Sequence, residues 1–128
     1  MKCVKERSKR VLDILWDLAI KNKGYRKLDN DKDFLPLTIE IILENAISIC
    51  HYKELNGDLM RNPEMCFWKD DNGDYFPYYF RNDYVAYEDI AGEIEGSKLI
   101  VFNEKQQLGQ IEFAKVWLDN INYQQFKV

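Results

Sequence analysis

His51, Asp58, Arg61 and Glu64 fall within one short segment that also contains the Asn56-Gly57 pair and Pro63. An imidazole, two carboxylates and a guanidinium at such spacing could act as an acid–base set or as a clamp for a polar ligand. The acid–base reading is the weaker one. His51 is the single histidine of the chain, so a hydrolase triad or a two-histidine metal site would have to be built around one imidazole. Asp58 and Glu64 could form a general acid and base, but nothing in a polar loop drives their pKa values apart. GxGxxG, GxxxxGKS/T and CxxC patterns are absent. These absences favour a protein that is not an enzyme and uses no metal or cofactor.

A binding role suits the same residues better. Asn56-Gly57 is a turn dipeptide, and Asp58 is placed to cap that turn or a short helical segment at Leu59-Met60-Arg61 that Pro63 ends. Arg61 and Glu64 are expected to pair with Asp58 and hold the loop to a sheet, and loops braced on a scaffold are where recognition concentrates. The candidate binding residues here are His51, Asn56, Asp58, Arg61 and Glu64. Downstream, Tyr75, Phe76, Tyr78, Tyr79, Phe80, Tyr84 and Tyr87 form an aromatic cluster, to which Tyr78 and Asp83 contribute two further candidates. Strand alternation sends about half of such a cluster into the core. The charges around it are Asp70, Asp71, Asp74, Asp83, Glu88 and Asp89 against Arg81, a balance that opposes nucleic acid and suits a basic protein surface.

The elements that must position these residues follow from periodicity. Val4, Val11, Leu12, Leu15, Leu18 and Ala19 recur at helical spacing, predicting a first helix over 4–21 closed by Lys21-Asn22-Lys23-Gly24. Tyr25 to Leu28 reads as a short strand and Asp29 to Asp33 as a polar turn. Leu37–Ile42 and Ala46–Tyr52 are β-branched and alternating, two antiparallel strands joined around Glu44-Asn45. Met65–Trp68 and Tyr75–Phe80 form a hairpin over Asp70-Asp71-Asn72-Gly73-Asp74, with Pro77 marking an edge strand or a bulge. Tyr84–Ile90 and Leu99–Phe102 supply one or two more strands. Leu108, Ile111, Ala114, Leu118 and Ile121 define a second amphipathic helix over 104–123. The predicted fold is α+β: a helix, an antiparallel meander of five or six strands, and a helix packed on the sheet, in one domain over 1–128.

Charge is unevenly spread. Residues 1–27 hold nine Lys and Arg against three Asp and Glu, whereas residues 28–95 hold five against sixteen. The basic set Lys5, Arg7, Lys9 and Arg10 suits a solvated helix face, with DNA contact as the alternative. Cys3, Cys50 and Cys66 match neither a disulfide framework nor a zinc spacing, so reduced thiols are expected, with Cys50 and Cys66 as small buried groups. No apolar run reaches the length of a membrane span and the N-terminus is charged, which implies a cytoplasmic protein without membrane contact.

Leu35-Pro36-Leu37-Thr38-Ile39-Glu40, the run from His51-Tyr52 through Asn56-Gly57-Asp58-Leu59-Met60-Arg61-Asn62-Pro63-Glu64-Met65, Pro77 with Asn82-Asp83, and Phe113-Ala114, Trp117, Asn120 and Gln124–Phe126 together resemble a family of small uncharacterised domains from phages, plasmids and other mobile elements. Asn62 and Gln125 stand where that family more typically has Asp and Gly. The resemblance covers about residues 34–126; it implies the same α+β architecture and an accessory role, and supplies no catalytic residue. The expected function is therefore protein binding, directed at a host or mobile-element protein such as a defence or regulatory factor, by a monomer or homodimer. The alternative is a nucleotide-like small ligand, with Arg61 on phosphate and a tyrosine stacked on the base.

Overall fold

The structure is a computed structural model that describes residues 1–29 and 34–126. Helix α1 (Glu6–Ile20) opens the chain and helix α2 (Glu104–Ile121) nearly closes it, followed by a π-helical turn at Asn122–Phe126. Between them run β1 (Tyr25–Leu28), β2 (Leu37–Ile42), β3 (Ala46–Leu55), β4 (Asp58–Lys69), β5 (Tyr75–Asn82), a 3-10 turn (Asp83–Val85), β6 (Tyr87–Ile90), β7 (Gly92–Glu95) and β8 (Lys98–Val101). Strands β1 to β6 form one antiparallel sheet in sequence order, and β7 and β8 pair as a separate ribbon. The α+β meander expected from periodicity is the observed fold.

One sheet face carries both helices. Leu37, Ile39, Ile47, Ile49, Met65, Phe67 and Tyr75 pack against Val11, Leu12, Leu15 and Ala19 of α1 and against Ile111, Ala114, Trp117, Leu118 and Ile121 of α2. Register explains the selection: Leu37 lies opposite His51, Ile39 opposite Ile49, and Ile49 opposite Met65, so alternate positions of three strands share that face. The Tyr75 hydroxyl donates to Asp13 of α1 at 2.9 Å, and Gln107 of α2, fully buried, donates to the Pro77 carbonyl and accepts the Lys2 amide. Both helices are thereby fixed to β5 by polar as well as apolar contacts.

Two bulges depart from regular alternation. Between Cys50 and Tyr52 of β3, strand β4 spends the three steps from Glu64 to Arg61, and between Cys66 and Phe67 of β4, strand β5 spends the two steps from Tyr79 to Pro77. A proline lies in each irregular stretch, Pro63 and Pro77, consistent with a residue that cannot donate to a ladder. The bulge expected at Pro77 is present, but β5 is an interior strand, paired on both sides. The helical segment expected at 59–61 is instead part of β4, because antiparallel pairing of Leu59 with Glu54 and Met60 with Lys53 satisfies that backbone. The polar turn expected at 29–33 lies outside the described residues apart from Asp29.

Candidate functional site

Strands β3 and β4 outrun their neighbours. Pairing with β2 ends at His51 and pairing with β5 ends at Glu64, so the stretch from Tyr52 to Arg61 pairs only with itself, through Tyr52–Arg61, Lys53–Met60, Glu54–Leu59 and Leu55–Asp58. The result is a β-arm projecting past the sheet. Its tip is Asn56-Gly57, both with positive φ (53° and 87°), the backbone that a two-residue hairpin turn of the type I′ form demands. Leu55 and Leu59 on the arm are 41% and 68% exposed. Alternation places them on opposite sides of the ribbon.

The base of the arm is locked by charge. Arg61 donates from Nε to Asp83 Oδ2 at 2.9 Å and from Nη2 to Oδ1 at 3.2 Å, and its own backbone N–H also donates to Oδ2 at 2.8 Å. Arg81 Nε adds a fourth donor to Asp83 Oδ1 at 2.8 Å, while Arg61 Nη1 reaches Glu64 Oε1 at 3.4 Å. Ser48 Oγ donates to the other Glu64 oxygen at 2.6 Å. The cluster lies on the sheet face turned away from the helices. The fork geometry of a guanidinium on a carboxylate fixes direction as well as distance, so the arm leaves the sheet at a set angle. Asp83 can take part because it begins the 3-10 turn after β5, which Asn82 caps by accepting the Tyr84 amide at 3.0 Å. Asn62 accepts from Asn82 at 3.3 Å beside the same junction.

The electrostatics match a bracing network. The hydrogen bonds from Arg61 above all, helped by one from Arg81, hold the Asp83 carboxyl far below the ordinary range against the opposing effect of burial, and the bonds to Asp83 push Arg61 upward. Burial pushes the thiols of Cys50 and Cys66 up to about 12, aided by the nearby Glu64 charge, so neither is a thiolate at neutral pH. Both are free thiols, as expected, but they sit beneath the outer sheet face and not under the helices. Burial also raises the phenols of Tyr52, Tyr78 and Tyr79, with Tyr79 donating to Glu88 at 2.6 Å. Tyr78 feels both Cys66 and Glu64 and so borders the network.

Of the residues singled out in the sequence, Arg61, Glu64 and Asp83 converge, with Tyr78 beside them. Asn56 and Asp58 stand at the exposed tip of the arm, and the expected pairing of Arg61 and Glu64 with Asp58 is replaced by their contacts with each other and with Asp83. His51 faces the helices: its Nδ1 accepts from Trp117 Nε1 at 3.1 Å, the rings meet edge to face, and burial lowers its pKa to about 4. Arg81 and Ser48 belong to the network without having stood out in the sequence, since only the register of β5 and β3 brings them to Glu64. Among the described residues no group of three His, Cys, Asp or Glu side chains could hold a metal ion, and no helix is long and apolar enough to cross a membrane.

Fold and site together define an α+β meander scaffold that carries a braced, projecting β-arm. The chain belongs to the family described as Domain of unknown function (DUF6908), whose model matches residues 9–127. No curated protein and no solved structure matches the chain.

Proposed function

We propose that this chain is a non-enzymatic accessory protein of the mobile-element type that works by binding a host defence or regulatory protein, with the β3–β4 arm and the neighbouring aromatic and acidic strands as its contact surface. The observation that carries the reading is the arm itself: a ribbon paired only with itself, exposing Leu55 and Leu59, and anchored by a two-pronged ion pair at its root. Exposed leucines on a rigid projection supply apolar area that a partner can bury with little loss of backbone freedom. The arrangement gives less support to a nucleotide ligand, because the guanidinium that would meet phosphate is already spent on Asp83 and Glu64. The mobile-element context follows from the resemblance noted in the sequence.

The test compares affinity capture from host lysate by the wild type and by a Leu55→Ser/Leu59→Ser variant. A protein captured stoichiometrically by the wild type and lost by the variant, at unchanged melting temperature, supports the arm as the contact. Equal capture by both proteins removes it.

A further inference from the structure

On the sheet face opposite the arm network, strands β5 and β6 and helix α2 border an open cavity. Asp89 of β6 lies across from Phe80 of β5, so both side chains face α2. Phe80, Tyr87, Asp89, Gly109, Gln110 and Phe113 line about 210 Å³ of space. Phe80 contacts Tyr87 with ring centroids 5.8 Å apart and Phe113 at 4.9 Å, the latter edge to face. Tyr87 and Phe113 are half exposed and Gly109 is exposed, which gives the cavity a mouth.

The polar groups at this cavity are unbalanced in one direction. Asp89 and Gln110 are 8% and 2% exposed, yet Asp89 Oδ1 and Gln110 Oε1 have no hydrogen-bond partner. Gln110 spends an amide hydrogen on the Asp89 backbone carbonyl at 3.1 Å. A buried carboxylate oxygen without a donor is costly, and the two orphaned acceptors call for donors from elsewhere. Burial raises the Asp89 carboxyl above its ordinary range, an effect that the neighbouring Gln110 side chain only partly offsets. The aromatic walls present rings whose faces attract positive charge. Acceptors and ring faces together reject anions and select a cationic donor.

We propose that this cavity is a seat for an organic cation, the head group of an alkylammonium or guanidinium compound. Its volume falls below the range of roughly 300–1,000 Å³ typical of sites that engulf a whole small molecule. The seat therefore takes a head group whose chain leaves through the mouth between Tyr87 and Phe113, whether that chain belongs to a free amine or to a lysine or arginine of another protein. Gly109 supports the assignment. A Cβ built there meets nothing within 4 Å, so the helix carries a glycine, which weakens it relative to alanine, where packing does not require one. Its absent side chain leaves the rim open.

The test is an NMR titration of the full chain with n-butylammonium, n-butylguanidinium and N-acetyl-lysine methylamide, and with 1-butanol as the neutral control, following the Gly109 amide, the Gln110 side-chain amide and the Phe113 ring. A saturable shift with the cations and none with 1-butanol is expected, weakened about tenfold or more in Asp89→Asn and in Tyr87→Ala. Gly109→Leu, which fills the rim and spares the buried groups, should abolish it. Tighter binding of the lysine derivative than of butylammonium marks a protein side chain as the source, and the reverse marks a free amine. Equal shifts with 1-butanol, no saturable shift with any cation, or undiminished binding by the folded Asp89→Asn or Tyr87→Ala proteins would overturn the proposal.

Discussion

Asp83 is the hub of the arm's attachment, and replacing it with asparagine isolates its charge. Four donors converge on its two oxygens, three of them from Arg61 and one from Arg81. Hydrogen bonds to a charged group contribute about 1.5–3 kcal/mol each, but bonds sharing one carboxylate are not additive. The Asp83 side chain is 14% exposed whereas that of Arg61 is 35% exposed, so water screens one partner appreciably. The expected cost of Asp83→Asn is therefore about 2 kcal/mol, a fall in melting temperature of about 6–8 °C for a chain of this size. The pH dependence carries the sharper signature. The native carboxyl titrates far below its unfolded value of about 3.9, so the folded state binds fewer protons through that range and stability rises with pH there. The contribution is complete above about pH 4 and is lost progressively as pH falls below it. Urea unfolding followed by tryptophan fluorescence should show wild type and variant separated by about 2 kcal/mol at neutral pH, with the gap narrowing progressively as pH falls below about 4. Coincident transitions at neutral pH, or a gap of constant size on acidification, would refute the bracing role.

Gly109→Ala should stabilise the protein by about 0.5–1 kcal/mol, read as a higher urea midpoint, because the position is helical and open. Gln107→Leu should cost about 1–3 kcal/mol by stranding the Pro77 carbonyl and the Lys2 amide, and an unchanged midpoint would show that those groups find other partners. NMR titration of His51 should give a midpoint of about 4, with Nδ1 unprotonated and accepting from Trp117. Because that value lies below the unfolded value of about 6.5, the residue's contribution to stability is present above about pH 6.5 and is lost as pH falls toward 4; a midpoint near 6.5 would contradict its burial. Phe67→Ala, at the centre of the helix-covered face, should lose about 3–5 kcal/mol in the same unfolding assay.

Much of this architecture was legible in the residues. Helical spacing in 4–21 and 104–123, β-branched alternation in 37–52 and the Asn-Gly signals at 56–57 and 72–73 are local properties, and each maps onto an observed element. The β7–β8 ribbon was not legible as a separate pair, since Gly92–Glu95 offers only Ile94 as a strand-forming apolar residue. Leu59-Met60-Arg61 read as helix because its residues are good helix formers, but pairing across the arm, with Asp83 accepting the Arg61 amide, overrode propensity. Arg61, Glu64 and Asp83 were visible as candidates, whereas Arg81, Ser48, Asp89 and Gln110 gain their surroundings only from long-range register.

The parity of the strands decides which of these residues can act together. In a regular strand Arg61 and Glu64, three apart, would point to opposite faces, and no network could join them. The extra residue that β4 spends opposite Cys50–Tyr52 reverses the alternation, so that Arg61, paired with Tyr52, shares a face with Glu64, paired with Cys50. The second bulge does the same for β5: Pro77 and Phe80 face the helices, while Tyr79 and Arg81 join the network. His51 follows unbroken alternation between Cys50 and Tyr52, which sends the chain's single imidazole to the helix side, against Trp117 and away from the Glu64 carboxylate, which faces the other way. An acid–base set of His51, Asp58 and Glu64 therefore lacks a common face, whereas bracing of the arm needs only Arg61, Glu64, Arg81 and Asp83, which two prolines and two register shifts place on one side. Restoring regular pairing by inserting one residue into β3 between His51 and Tyr52, so that three steps on β3 meet the three on β4, would turn Arg61 toward the helix side and cut it from Asp83. The arm would keep its turn and its leucines and lose its fixed direction, so partner capture should fall while the hairpin's own amide protection persists.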